Sequence, residues 1–321
     1  MINEELRGKI LNILIPQLDP SMTLNVGDKI PGGWESDIYA ITAEFNSDNL
    51  YFVVRVLKGE NTTVRAEKEY QDMINLSEIG VSIPKLYGFG PSGETHNGFI
   101  IMEQILGNNM GELMLAGAPE EIQKQVIKMV NLHLGIQEKD WNKVTEANYD
   151  ITANPRAFIN SRLERYENKL QHSSFKSIIE PIIKKLYQVN VETTKLQVIH
   201  NDFHPFNILY RLDGTAVIID WSGVDLGDAR FDVAWTYLLI SSFNRQLADF
   251  TLQVYFSQKP NLQNQFDIFI KLVCIRRLLD IEVIAASNID LDMGSSLITN
   301  FISFAEEKLE VQLDKFKERL R

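Results

Sequence analysis

Five polar side chains near the two-thirds point of the chain have types and spacing that can do chemistry. His200, Asp202, His204 and Asn207 lie in Val198-Ile-His-Asn-Asp-Phe-His-Pro-Phe-Asn-Ile-Leu-Tyr210, and Asp220 lies in Val217-Ile-Ile-Asp-Trp221. Two carboxylates and an amide oxygen form a hard oxygen set, suited to Mg²⁺ rather than zinc. Phosphoryl transfer needs a carboxylate at the attacking hydroxyl, metal charge on the phosphates and positioned donors. Asp202 can orient the hydroxyl and take its proton, while Asn207 and Asp220 hold the metal. A second reading uses His200 and His204, four positions apart, with Asp202 and Asp220 as a metallohydrolase set. Pro205 opposes a helix that would present both histidines on one face. His96, His133 and His172 form no ligand-like cluster elsewhere.

Short apolar runs rich in Val and Ile predict brief strands on both sides of the loop. Arg211-Leu-Asp-Gly214 carries an Asp-Gly hairpin signal. A strand pair is therefore expected to display Asp202, Asn207 and Asp220 at one end. Upstream, helical spacing predicts a lead-in helix over 4–16, closed by Pro16. Strand patterns follow, with a hairpin of Ile38–Phe45 and Leu50–Leu57, a helix over 64–78, and strands at 83–89 and 98–103. Beyond a connector at 104–111, helices are expected at 122–136, 156–171 and 174–190, then three more after 231, the last spanning 295–319. The expected fold is α+β: a small antiparallel β lobe with one helix (1–103), the connector, and a larger, mainly helical lobe (112–321).

Composition narrows the function classes. The 321 residues are 45% hydrophobic and 23% charged, as in an ordinary globular protein. A net charge of −11 disfavours a nucleic-acid partner. The single cysteine, Cys274, excludes an internal disulfide and is expected in the core. No signal-like start and no long apolar run is present, so a cytoplasmic protein without a membrane partner is expected.

His-Asn-Asp-Phe-His-Pro-Phe-Asn-Ile-Leu followed by Ile-Ile-Asp-Trp resembles the aminoglycoside phosphotransferase and choline kinase-related group of small-molecule kinases. Their usual loop is His-Gly-Asp-x-His-x-x-Asn, and Gly227-Asp-Ala-Arg-Phe-Asp-Val-Ala234 resembles their next motif. The resemblance implies a two-lobed protein kinase-like fold with Asp202 as base and Asn207 and Asp220 as Mg²⁺ ligands. It also implies that His204 touches the γ-phosphate and that Asp232 braces the loop. Gly32, Gly33 and Ser36 correspond to the phosphate-covering loop. Arg55 stands where the group has a phosphate-contacting lysine, Glu69 where that lysine has its partner, and Glu103 and Ile105 at the adenine-binding hinge. Two departures are Asn201 for the usual glycine and Arg55 for lysine.

The implied reaction is ATP- or GTP-dependent phosphorylation of a hydroxyl on a small molecule. Too few residues separate Asp220 from Gly227 for a protein-kinase activation segment. Overall acidity, with Asp225 and Asp228 facing the acceptor, suggests a cationic one such as an amino sugar or choline-like amine. The alternative within the fold is a nucleotide-binding pseudokinase, for which Arg55 is the best argument. Arg276-Arg277 reads as a solvated helix face.

Overall fold

The structure, a computed structural model, describes residues 4–19, 23–30, 36–45, 48–91, 97–141, 155–192, 194–286 and 295–314. It divides into two units. One comprises Met1–Ala116 and Pro205–Ser222, the other Gly117–Asn142, Glu146–His204 and Gly223–Arg321.

In the first unit, strands β1 (Thr23–Ile30), β2 (Ser36–Phe45), β3 (Asp48–Leu57), β4 (Leu86–Pro91) and β5 (Gly98–Glu103) pair antiparallel in the order β1-β2-β3-β5-β4. The period of two decides what each face holds. Phe52 and Val54 of β3 and Phe99 and Ile101 of β5 share one face. There Leu6, Ile10 and Leu14 of α1 (Glu4–Leu14) complete a buried cluster. Arg55 falls on the opposite face, paired in register with Ile38 and Ile100. That face meets α2 (Thr62–Glu78). A Cβ on Gly98 would lie 2.1 Å from the Thr62 carbonyl oxygen, so only glycine lets α2 begin against β5.

After α3 (Met110–Ala116), which belongs to the first unit, four three-residue strands lie between residues 197 and 227. They are β6 (Gln197–Ile199), β7 (Ile208–Tyr210), β8 (Ala216–Ile218) and β9 (Asp225–Gly227). The run after the polar loop forms the expected hairpin across the Arg211–Gly214 turn, while the run before the loop pairs elsewhere. β7 pairs with β8 through the Arg211–Gly214 turn, and β6 pairs with β9. The β7–β8 hairpin belongs to the first unit because Tyr210 N donates to Asn108 O (2.8 Å) and Ile218 N to Ser82 O (2.9 Å). A Cβ on Gly107 would lie 1.6 Å from Tyr210 O, so glycine is required where connector and hairpin meet. By contact, α3 and residues 205–222 group with the β sheet, where the boundary was expected at 112.

The second unit contains, among the described residues, α4 (Pro119–Gln137), α5 (Pro155–Leu170), α6 (Lys176–Leu186), α7 (Ala229–Phe243), α8 (Arg245–Gln258), α9 (Phe266–Ala286) and α10 (Ser295–Leu309). α7 packs against α8, α9 and α10 and is buried on nearly every side, as its apolar sequence requires. Among the described residues, α7 to α10 begin after Asp228 where three helices were expected, because Asn244 ends α7 and caps α8 by accepting from Leu247 N (3.0 Å). α10 stops at Leu309 rather than near 319, where Glu310 takes a φ of +57°. Cys274 is fully buried in α9, which pushes its thiol pKa up. No helix among the described residues is long and apolar enough to cross a membrane.

Candidate active site

In the second unit, β6 delivers the chain into His200–His204, and Asp232 in the first turn of α7 holds that loop. Its Oδ2 accepts from His200 N (2.7 Å) and its Oδ1 from Asn201 N (2.8 Å). His133 Nε2 lies 2.8 Å from Oδ2, and His133 Nδ1 lies 2.7 Å from the Tyr255 hydroxyl. The His133 ring stacks on Phe203 at 4.0 Å, and Thr236 Oγ1 donates to Phe203 O (2.7 Å). Burial works to raise the Asp232 pKa, but His133 and the loop N–H groups outweigh it and hold it below the ordinary value.

Asp202 is the side chain this clamp presents. Trp235 Nε1, one turn along α7, donates to its Oδ1 (2.7 Å), and His204 Nε2 lies 3.7 Å from its Oδ2. Desolvation opposes ionisation, yet His204, Trp235 and His200 hold the carboxyl well below the usual range. The side chain keeps 39% of its surface exposed.

Asn201, where a glycine is usual, has φ +65°. Asparagine is among the few side chains that tolerate this left-handed conformation. Its Nδ2 donates to Gly223 O (2.6 Å), and its carbonyl accepts from Arg276 Nη1 (2.7 Å). The departure thus keeps the loop geometry and adds a bond.

His200 is fully buried, and its Nδ1 accepts from Asp202 N (3.3 Å). No group of three or more His, Cys, Asp or Glu side chains among the described residues forms a metal-ligand set. The metallohydrolase alternative therefore lacks its geometry.

In the first unit, the β7–β8 hairpin positions Asn207 and Asp220. Ile219 N donates to Asn207 O (3.0 Å), which places the Asp220 backbone one residue beyond that bond. Asp220 has φ +63°, and its Oδ1 accepts from Arg55 Nη1 (3.2 Å) and Ser222 Oγ (3.3 Å). No hydrogen bond among the described residues reaches its Oδ2. Trp221 is fully buried and donates to Ile218 O (2.9 Å), pinning the chain just past Asp220. One amide and one carboxylate oxygen on a single hairpin fit Mg²⁺, which needs few protein ligands and keeps water or phosphate oxygens.

Arg55 forks between two carboxylates, with Nη2 on Glu69 and Nη1 on Asp220. Burial pushes Glu69 up to about 7 despite Arg55, and Asp220 adds to the rise. Of the residues expected to cover the phosphates, Gly32 and Gly33 lie outside the described residues, and Ser36 is buried at the start of β2. The Glu103 carboxylate pairs with Arg211 (2.7 and 2.8 Å), and its N–H donates to Lys85 O (2.8 Å). No hydrogen bond among the described residues engages the backbone of Ile105.

The two aspartates expected to face the acceptor both meet arginines. Asp228 is 1% exposed. It caps α7 and binds Arg230 through both oxygens (2.9 and 2.6 Å), with Thr194 donating at 3.0 Å. This is a structural role, and it corrects the expectation for Asp228. Asp225 accepts from Arg162 (3.1 Å) and Leu226 N (2.9 Å). Sequence reasoning missed Trp235 and His133. A tryptophan or histidine at helical spacing reads as core, and only packing shows that its nitrogen meets a carboxylate.

The model of the phosphotransferase enzyme family matches residues 27–262. A comparison with curated protein sequences finds no match. Among solved structures, a Ralstonia eutropha protein described as a candidate aminoglycoside phosphotransferase aligns with 100% of this chain and 98% of its own, at TM-score 0.70 and 14% identity. The aminoglycoside phosphotransferase APH(4)-Ia, in ternary complex with ADP and hygromycin B, aligns with 94% of this chain and 98% of its own, at TM-score 0.66 and 15% identity. Choline kinase LicA from Streptococcus pneumoniae aligns with 95% of this chain and 99% of its own, at TM-score 0.60 and 16% identity. These likenesses show a shared kinase-like fold.

Proposed function

Since the chain belongs to the phosphotransferase enzyme family, we propose that it moves the γ-phosphoryl group of ATP or GTP to a hydroxyl of a small molecule, with Asp202 as the group that orients and deprotonates the acceptor. The bond from the γ-phosphorus to the β,γ-bridging oxygen breaks and a new bond to the acceptor oxygen forms. The hydroxyl proton passes to Asp202, and the nucleoside diphosphate leaves. The observation that carries this reading is the Asp202 carboxylate, held ionised and aimed by Trp235 Nε1 at 2.7 Å on a clamped loop. A carboxylate of such low basicity suits a loose transition state, in which the proton leaves late and positioning does most of the work.

Asn207 and Asp220 would hold Mg²⁺. The ion, when bound, supplies positive charge to the phosphate oxygens. Arg55, with Glu69 setting its orientation, would contact the α- and β-phosphates, and His204 the γ-phosphate. Ser36 and the glycines at 32 and 33 would cover them. The open backbone of Ile105, beside Glu103, would pair with the base. Asp202→Asn keeps the shape and can still accept from Trp235, but cannot take a proton. Turnover should fall by at least about 100-fold, with nucleotide affinity by calorimetry unchanged. Retained turnover would sink the assignment.

One observation favours a second reading, a nucleotide binder without transfer: Arg55 replaces the usual lysine and occupies Asp220 Oδ1. That reading expects Mg-ATP binding and no phosphorylated product from any alcohol.

A further inference from the structure

Arg276 and Arg277 lie in α9 between Ile275 and Leu278, both buried, and are themselves only partly exposed. They do not form the solvated face their sequence suggests, because α9 packs against α5 and α7. The Arg276 guanidinium lies over the Trp235 ring, 3.7 Å from its centre, and Nη1 donates to the Asn201 carbonyl at 2.7 Å. Trp235 Nε1 in turn donates to Asp202 Oδ1 at 2.7 Å. One side chain therefore touches both supports of Asp202, the peptide that precedes it and the indole that binds its carboxylate. All of these residues belong to the second unit.

Each contact adds to what Asp232 does for the loop. Asp232 holds the N–H groups of His200 and Asn201. The peptide between Asn201 and Asp202 is held by other groups, its oxygen by Arg276 and its N–H by His200 Nδ1 at 3.3 Å. On the indole, a cation over the π face fixes the ring plane and makes Nε1–H a better donor to a carboxylate. A flat guanidinium can stack by its face and donate by its edge at the same time, which an ammonium cannot. Arg276 is itself aimed: its Nε lies 3.6 Å from Asp280 Oδ2, one turn along α9, and Asp280 Oδ1 accepts from Lys169 at 3.0 Å.

We infer that Arg276 is a positioning residue for phosphoryl transfer. It fixes the Trp235 indole and the Asn201 carbonyl, and through them the direction of the Asp202 carboxylate, without touching nucleotide or acceptor. The inference rests on the phosphotransferase reading of Asp202.

The test has two arms, and neither needs the acceptor. In the full chain labelled with ¹⁵N, the Trp235 indole N–H resonance is assigned by its loss in Trp235→Phe. Asp202→Asn should move that resonance in the wild type and move it clearly less in Arg276→Gln, where the indole is no longer held. In the second arm water stands in for the alcohol, and ADP release from saturating Mg-ATP is followed. Arg276→Gln should lower that rate about tenfold or more, with ATP affinity by calorimetry unchanged, and should have little effect once Asp202 is replaced by Asn. Arg276→Lys keeps the charge and can reach the carbonyl but cannot stack flat. It should retain part of the rate, and it replaces Arg276→Gln in both arms if that protein does not fold. Equal movement of the resonance by Asp202→Asn in both backgrounds, or equal ADP release, overturns the inference and leaves the phosphotransferase reading standing. A weakened ATP affinity, or a rate loss that persists in the Asp202→Asn protein, overturns it as well. Wild type that releases no more ADP than Asp202→Asn counts against the phosphotransferase reading instead, and the resonance then decides the placement of Asp202 by Arg276 alone.

Discussion

Asp232 in the second unit and Glu69 in the first are both buried helix carboxylates beside a basic side chain, at 0% and 5% exposure, yet their pKa values move in opposite directions. Asp232 accepts from two loop N–H groups and meets the His133 imidazole. Among the described residues Glu69 bonds only the Arg55 guanidinium, which it shares with Asp220, and none of them reaches its buried Oε1. Burial raises both, but only Asp232 has enough donors to overcome it. The number of donors reaching a buried carboxylate, rather than the presence of a cation, decides whether it is a fixed brace or a pair with charge left to answer.

That contrast can be broken most directly by deletion. Asp232→Ala orphans two N–H groups and His133 and should cost about 3–5 kcal/mol, read from the urea midpoint. Glu69→Gln keeps a bond to Arg55 and should change stability by no more than about 1 kcal/mol near neutral pH. Equal losses would erase the distinction.

Acidity sharpens it further. The folded pKa of Asp232 is lowered, so the stability it contributes is present above the ordinary carboxylate range and is lost as pH falls through the lowered value. Glu69 is raised from 4.5 to about 7, so its contribution is complete below 4.5 and is lost as pH rises through about 7. The stability differences of wild type from Asp232→Asn and from Glu69→Gln, followed by thermal melting across pH, should therefore slope in opposite senses. Slopes of the same sign would contradict the assigned causes.

The smallest effects are expected at Asn201, on the loop that Asp232 clamps. Asn201→Ala places a less tolerant residue at φ +65° and removes the bond to Gly223, for about 1–2 kcal/mol. Asn201→Gly relaxes the backbone and loses only the bond, so its cost, from the same denaturation curves, should be the lower of the two.

Most of the elements were legible from periodicity: the β2–β3 hairpin, α2 and α4 follow apolar spacings set by local geometry. Asp202, Asn207 and Asp220 stood out because polar residues inside Val- and Ile-rich runs need a reason to be there. The break at Asn244 was not legible, since buried residues continue on both sides of it. Nor was the pairing of β6 with β9, because three-residue strands carry no register of their own.

Residue type and spacing were enough to propose the chemistry on offer, a hard oxygen pair and a carboxylate close to it in the chain, because donor hardness and loop reach are local properties. Only the tertiary structure decided the state of that chemistry. The Trp235 bond to Asp202, the placement of His133 behind Asp232 and the bond from Arg276 to the Asn201 carbonyl all join elements far apart in the chain. Desolvation and donor count, which set the charge of each group, exist only once those elements pack.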